Sequence, residues 1–181
     1  MKRLLILSLL LPSGLALAET ETKQDSPAII AEASKILITA LTEAIAESGT
    51  VGAISVCSEK APEIATTVGN KHNVTLRRVT EKPRRPTNAA NKAEQEILAA
   101  FAADIENGKP PAPRTITTED GSTFVAPIVI PAPLCLQCHG DPAHDIAPET
   151  LAAIRKLYPN DQATGYKSGD LRGAWTVKAD E

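Results

Sequence analysis

The feature that most constrains this chain is the pentapeptide Cys135-Leu136-Gln137-Cys138-His139. Two cysteines separated by two residues and followed at once by a histidine have the spacing at which haem c is attached. The thiols add across the two vinyl groups of the porphyrin, and the adjacent imidazole binds the iron. With three cysteines and three histidines among 181 residues, a chance occurrence is on the order of one in a thousand. We therefore predict one covalent haem c, bound through Cys135 and Cys138, with His139 as an axial iron ligand.

Other uses of these residues remain open. The two cysteines could form a disulfide or a thioredoxin-like redox pair, or Cys57 and His144 could complete a zinc site with them. A thioredoxin-type pair follows a strand and opens a helix, whereas a Pro-Ala-Pro stretch at 131–133 precedes this motif. The haem interpretation is the one that we expect.

The amino terminus has the layout of a secretory signal. Lys2 and Arg3 precede an apolar run at 4–11 and a small-residue end at 16–18, so we expect cleavage after Ala18. The run is too short to span a bilayer, and no later segment is apolar for long enough, which predicts no stable membrane anchor. A periplasmic location agrees with the motif, because bacteria attach haem c outside the cytoplasm.

The net charge is −3, without a long basic run, which gives no support for nucleic-acid binding. The sequence predicts a signal peptide at 1–18, a disordered lead at 19–25 and one domain at 26–181. Helices early and strands late favour an α+β fold around an antiparallel sheet. Hydrophobic periodicity and turn residues predict helices at 26–49, 51–65, 93–107 and 151–157, and strands at Val74–Val79, 115–118, 122–130 and 171–177.

The second axial ligand is approached by elimination. Met1 is the only methionine and leaves with the signal, so the His/Met ligation of high-potential carriers is excluded within this chain. Cys57, His72, His144, a lysine, a tyrosine or an open position remain. His72 lies in a polar stretch, and His144 follows His139 too closely to reach the other haem face. Cys57, on the apolar face of a predicted helix, is our first choice.

A basic loop could contact the haem as well. It contains Lys82, Arg84 and Arg85, whose charges could pair with the propionates through bidentate hydrogen bonds. We name Arg84 as a possible propionate contact, with a solvated loop as the equal alternative.

Several stretches together resemble a known family, the exported haem-c domains with a PAS-like fold that are catalogued as a domain of unknown function. The resemblance implies a central antiparallel sheet flanked by helices, with haem at its side and His/Cys ligation in which the cysteine is Cys57. The usual Arg-Asn-Pro of the family stands here as Arg84-Arg85-Pro86. The resembling segments are 53–57, 61–62, 78–88, 133–140, 158–161, 165–166 and 169–173.

These observations predict a periplasmic monohaem protein that responds to redox state or to a small ligand and reports to a separate signalling protein or redox partner. Simple electron transfer is the alternative, and a thiol–disulfide or peroxide-active enzyme is a further one. We find no set of nucleophile, base and orienting group, so no catalytic residue is assigned and no enzymatic activity is expected.

Overall fold

The computed structural model describes residues 14–131 and 133–180, with side chains from residue 25 onward. The predicted signal segment lies largely outside these residues, and its removal stays a prediction. No helix within the described ranges combines the length and apolarity needed to cross a bilayer.

The first element is the long helix α1, Gly14–Ser55, which bends at Gly49 (φ 66°, ψ −173°). The sequence predicted this break, because glycine adopts positive φ without a steric penalty. The sequence predicted a disordered lead at 19–25, and in the structure α1 runs through these residues. Glu, Lys and Gln in this stretch favour helix, and α1 passes through Pro27 with the loss of one backbone hydrogen bond instead of beginning there.

The remaining helices are short. A π-helical turn, Val56–Lys60, connects α1 to α2, Ala61–Lys71. A 3-10 turn at Pro86–Asn88 precedes α3, Lys92–Glu106, which begins with a capping box between Asn91 and Glu94. Helices α4, Pro133–His139, and α5, Pro148–Leu157, lie in the carboxyl-terminal third.

Four strands form one antiparallel sheet in the order β1-β4-β3-β2. The predicted hairpin is confirmed: Glu119 and Asp120 join β2 to β3, Gly121 pairs with Thr118, and Gly121 has φ 104°. The strands are β1 Val74–Val79, β2 Arg114–Thr118, β3 Gly121–Val129 and β4 Leu171–Ala179.

The sheet carries a core on each face. Ile29 and Ala33 of α1 and Val68 of α2 pack with Val74 and Trp175 on one face. On the other face, residues of α3 pack against the sheet in a cluster made of Val79, Ala90, Leu98, Phe101, Val125 and Ala174. The predicted fold class, α+β with a PAS-like antiparallel sheet flanked by helices and a long N-terminal helix, is confirmed.

The sheet also fixes where α4 begins. Ile130, just after β3, donates its amide hydrogen to the Asp170 carbonyl at 2.9 Å and accepts one from Gly169 at 2.9 Å. These bonds hold the end of β3 against the start of β4. The motif helix α4 therefore starts beside one corner of the sheet.

Candidate cofactor site

The motif lies on α4, a helix that the sequence did not predict. Pro133 occupies its first position, where a missing amide hydrogen costs nothing. Cys135 and Cys138 are three residues apart and therefore lie on the same side of the helix. Both thiols are half-buried.

The two thiols contact different clusters of apolar side chains. Cys135 packs with Ile130, Ala163 and Tyr166. Cys138 packs against the cluster formed by Ile54, Ile146, Ile154 and Tyr158. Each sulfur thus has its own apolar surroundings.

The end of α4 is tied to the 163–166 segment. Tyr166 donates its amide hydrogen to the His139 carbonyl at 3.0 Å, and Gly165 donates to the Gly140 carbonyl at 2.7 Å. A Cβ on Gly140 would lie 2.5 Å from the Cβ of Asp145, so a larger residue would displace the helix end. The position of His139 is set by this close approach.

His139 is held as a neutral imidazole. Its Nδ1 lies 2.7 Å from the Ala163 carbonyl oxygen, which can only accept, so Nδ1 carries the proton and Nε2 keeps a lone pair. Burial, together with the charges of Arg172 and Arg84, lowers the pKa of His139 well below its usual value. The Tyr166 ring meets the imidazole edge-on, with 6.3 Å between centroids. A neutral imidazole with a fixed Nδ1–H is the form that binds metals.

Cys57 lies in the π-helical turn Val56–Lys60, a rare conformation that is found frequently at functional sites. Its thiol is half-buried, and burial raises its pKa. The charge of Cys57 also contributes to raising the pKa of the Cys138 thiol, after burial. Cys57 therefore lies within electrostatic range of the motif cysteine Cys138, and its assignment as the second axial ligand stays a prediction.

Three arginines surround the site. Arg78 from β1, Arg84 and Arg172 from β4 each act on the pKa of both the Cys57 thiol and the His139 imidazole. Burial lowers the pKa of Arg78 and of Arg172. Within the described residues, only Arg84 of the three has a carboxylate within ion-pair distance. The site consequently carries an excess of positive charge.

Arg84 links three segments of the chain. Its Nε and Nη2 donate to the two carboxylate oxygens of Asp161, both at 3.1 Å, and Nη2 also donates to the carbonyls of Cys138 at 2.6 Å and Ala163 at 3.3 Å. Both charged side chains are 8% exposed. The suggested propionate contact of Arg84 stays a prediction, and the structure commits these two nitrogens to protein acceptors.

Sequence reasoning assigned no role to Arg78, Arg172 or Asp161. One signal was present: strand alternation places Arg78 on the same face as the buried Val74 and Leu76. A cation at an inward position needs an anionic or aromatic partner. The guanidinium of Arg78 lies 5.6 Å from the centroid of the Trp175 ring, which supplies one such partner.

The other two histidines lie elsewhere. His72 places Nε2 2.9 Å from the Glu32 carboxylate, at the junction of α1 and α2. His144 is 81% exposed and lies 3.2 Å from Asp141. Both have carboxylate partners on the surface, and neither is among the groups that act on the Cys57 or His139 pKa.

The alternatives of a disulfide and a zinc site find no support in the structure. All three cysteines of the chain lie in the described part and are free thiols. Among the described residues, no group of three or more His, Cys, Asp or Glu side chains is placed to hold a metal ion. Cys135, Cys138 and His139 lie together on α4, and Cys57 lies on the separate turn Val56–Lys60.

Comparison with known proteins follows the same direction. A family model described as Tll0287-like matches residues 16–179. The solved structure titled "Crystal structure of the cyanobacterial heme-protein Tll0287" superimposes with a TM-score of 0.70 and 23% identity, over 89% of this chain and 96% of that chain. At this identity the likeness shows a shared fold. A comparison with curated proteins gave no match.

Proposed function

We propose, because this chain belongs to the Tll0287-like family, that it is a periplasmic c-type cytochrome-like protein with one haem. Cys135 and Cys138 would hold the porphyrin covalently, and His139 and Cys57 would be its axial ligands. The observation that carries the proposal is the Nδ1–H of His139, which is fixed on the Ala163 carbonyl and leaves Nε2 as a metal donor.

The residues present fit this group by their chemistry. The helix spacing puts the two motif thiols on one side of α4, as attachment to two vinyl groups requires. Cys57 is the third sulfur and shares its electrostatic surroundings with His139. A neutral imidazole and a thiolate are both donors that iron accepts.

The charge of the site supports an anionic cofactor. Arg78 and Arg172 are cations whose pKa values are lowered by burial. Two propionates and a thiolate would supply negative charge beside them, and the attraction is large where water is excluded. Arg84 already has the Asp161 carboxylate as its partner, whereas no carboxylate of the described residues lies within ion-pair distance of Arg78 or Arg172. Arg78 and Arg172 are therefore better candidates for propionate contacts, although Nη1 of Arg172 also donates to the Thr80 hydroxyl and the Lys82 carbonyl.

The ligand set favours a redox-responsive role. Bound haem supplies a reversible one-electron couple at its iron. An anionic sulfur opposite imidazole stabilises the ferric state more than a thioether would, so the reduction potential is expected to be low. Burial raises the pKa of Cys57, which favours the neutral thiol whenever the metal does not hold the sulfur. The Cys57 sulfur could therefore dissociate from the iron. A sensor of redox state or of small molecules needs an axial ligand that can be displaced in this way.

Covalent attachment is tested by expressing the chain with a signal peptide in bacteria that carry a cytochrome c maturation system. We expect haem-stained protein on a denaturing gel, and a mass equal to the processed chain plus one haem. The variant with both Cys135→Ser and Cys138→Ser should lose the stain. A mature protein with the mass of the bare polypeptide would contradict the proposal.

Axial ligation is tested on the same protein by absorption and electron paramagnetic resonance spectroscopy. The ferric form should be low-spin with thiolate character, and Cys57→Ser should abolish that character. Ser58→Ala, at the neighbouring position, is the matched control and should keep the thiolate signature. A spectrum unchanged by Cys57→Ser would remove Cys57 from the iron.

Electron transfer is the second candidate. It is favoured by the partial exposure of Cys135 and Cys138, since an attachment edge near solvent suits exchange with a docking partner. Carbon monoxide binding to the ferrous form separates the two roles. Binding with displacement of Cys57 favours the sensor, and fast exchange with a redox partner without carbon monoxide binding favours the carrier.

A further inference from the structure

Tyr158 presents a polar atom that the fold leaves unsatisfied. The residue follows α5 and is 7% exposed. Its hydroxyl is fully buried and has no hydrogen-bond partner among the described residues. A buried hydroxyl in this state is unfavourable, because it has lost its hydrogen bonds to water without replacement. An acceptor supplied at the site would relieve this cost.

The ring fixes where the hydroxyl lies. It packs with Ile54 and Cys138, and its centroid is 5.9 Å from the Arg84 guanidinium carbon. Ile54 belongs to the last turn of α1, directly before the π-helical turn that contains Cys57. The ring of Tyr158 therefore lies in the apolar cluster that connects the end of α1 to the motif helix α4.

The candidate acceptors near the hydroxyl are few. The Ser58 hydroxyl lies close enough to lower the pKa of Tyr158, but it makes no hydrogen bond of ordinary geometry with it and donates its own hydrogen to the Ser55 carbonyl at 3.0 Å. Burial and then the charge of Cys57 raise the pKa of Tyr158. Cys57 and Tyr158 also act together on Arg78. The Cys57 sulfur thus lies within electrostatic range of both Tyr158 and Arg78.

We infer that Tyr158 donates a hydrogen bond from its hydroxyl to the Cys57 sulfur when that sulfur is the thiolate ligand of iron, an inference that rests on the function proposed above. Tyr158 is then a positioning residue, which acts on the metal through its ligand. A hydrogen bond to an axial sulfur withdraws electron density from it and weakens its donation to ferric iron. The bond would raise the reduction potential relative to a free thiolate.

The test is Tyr158→Phe in the haem-loaded protein, because phenylalanine keeps the ring that packs with Ile54 and Cys138 and removes only the hydroxyl. We expect the equilibrium between the two oxidation states to shift about tenfold toward ferric, which is about 59 mV for a one-electron couple, measured by spectroelectrochemical titration. Thermal unfolding of the same samples reports any loss of fold. An unchanged potential would overturn the inference.

A second measurement can be made on the wild-type protein itself. Pulsed electron paramagnetic resonance of the ferric protein after exchange into heavy water should detect one exchangeable proton coupled to the iron–sulfur unit, and Tyr158→Phe should remove it. If the wild-type protein shows no such proton, no hydroxyl donates to the sulfur and the inference fails.

The matched control is Tyr166→Phe, which removes the same atom from the other tyrosine, packed with Cys135 and His139. A shift confined to Tyr158→Phe supports the inference, and equal shifts in both variants overturn it. The proposed function fails in a different way, through the absence of attached haem or of thiolate character in the wild-type protein. A thiolate spectrum with an unchanged reduction potential in Tyr158→Phe contradicts this inference and leaves the proposed function intact.

Discussion

Replacing Asp161 by asparagine should strongly destabilise the protein. Asp161 and Arg84 are each 8% exposed, and the carboxylate accepts from both Nε and Nη2 of the arginine at 3.1 Å. The amide has no charge and presents a donor where one oxygen had accepted. Asp161→Asn therefore leaves Arg84 as a buried cation without a counterion.

The magnitude follows from the burial of this pair. Removing one partner of a buried ion pair costs about 3–5 kcal/mol. The Cys138 and Ala163 carbonyls still accept from Arg84, and the asparagine oxygen can keep the bond that Asp161 accepts from the Ala163 amide at 2.9 Å. We therefore expect the lower end, about 3 kcal/mol, which for a domain of this size lowers the midpoint of thermal unfolding by roughly 6–12 °C.

The assay is urea and thermal unfolding followed by circular dichroism, with Asp104→Asn as the matched control. Asp104 pairs with Arg114 at 2.6 Å, but these side chains are 27% and 33% exposed, so the loss should stay below about 1 kcal/mol. If Asp161→Asn costs no more than Asp104→Asn, burial does not make the Arg84 pair important. A double replacement, Arg84→Met with Asp161→Leu, should recover part of the stability, because no charge is left unpaired.

Three further changes test other parts of the structure. Phe101 has no exposed surface, so Phe101→Ala should lower the free energy of unfolding by about 3–5 kcal/mol; a loss below about 1 kcal/mol in urea unfolding would contradict this packing. Gly140→Ala would place a Cβ 2.5 Å from the Asp145 Cβ, and we expect lower yields of haem-stained protein, whereas a wild-type yield would show that α4 tolerates the displacement. Burial lowers the pKa of His139 from 6.5. Below about pH 6.5 the unfolded chain therefore protonates this imidazole while the folded chain keeps it neutral. The stability of the haem-free protein should be fully present above about pH 6.5 and should fall as the pH is lowered below that value; in urea unfolding, His139→Gln should flatten this dependence, and an equal slope in both proteins would contradict the assignment.

Local signals were sufficient for most of the fold. The bounds of β1, Val74–Val79, agree with the alternating pattern, and Asp120 with Gly121 located the hairpin turn. Helix α4 was missed because Pro133 reads as a stop in sequence, although proline is equally at home in a first turn. Residues 19–25 read as a disordered lead because they are polar, while their composition also favours helix.

The site divides in the same way. Cys135, Cys138 and His139 were assigned from the sequence because the attachment spacing is contained within five residues, and Cys57 was assigned by elimination. These four assignments stay predictions. The ion pair of Arg84 could not be predicted from the sequence, because its carboxylate partner Asp161 lies 77 positions further along the chain. A pair so far apart in sequence is brought together only by the fold. The composition of the loop alone favoured a solvated Arg84 and a propionate contact of Arg84 equally.

In the π-helical turn Val56–Lys60, the number of residues matters as much for the position of Cys57 as their identity does. This turn holds one residue more than an α-helical turn would, and each helical residue rotates the chain by about 100°. Deleting a single residue there would let the chain wind as continuous α-helix and would rotate Cys57 by about 100° relative to α2, although every side chain named in the site would still be present. This shortened protein should still carry covalent haem through α4, and it should lack Cys57 as the second axial ligand.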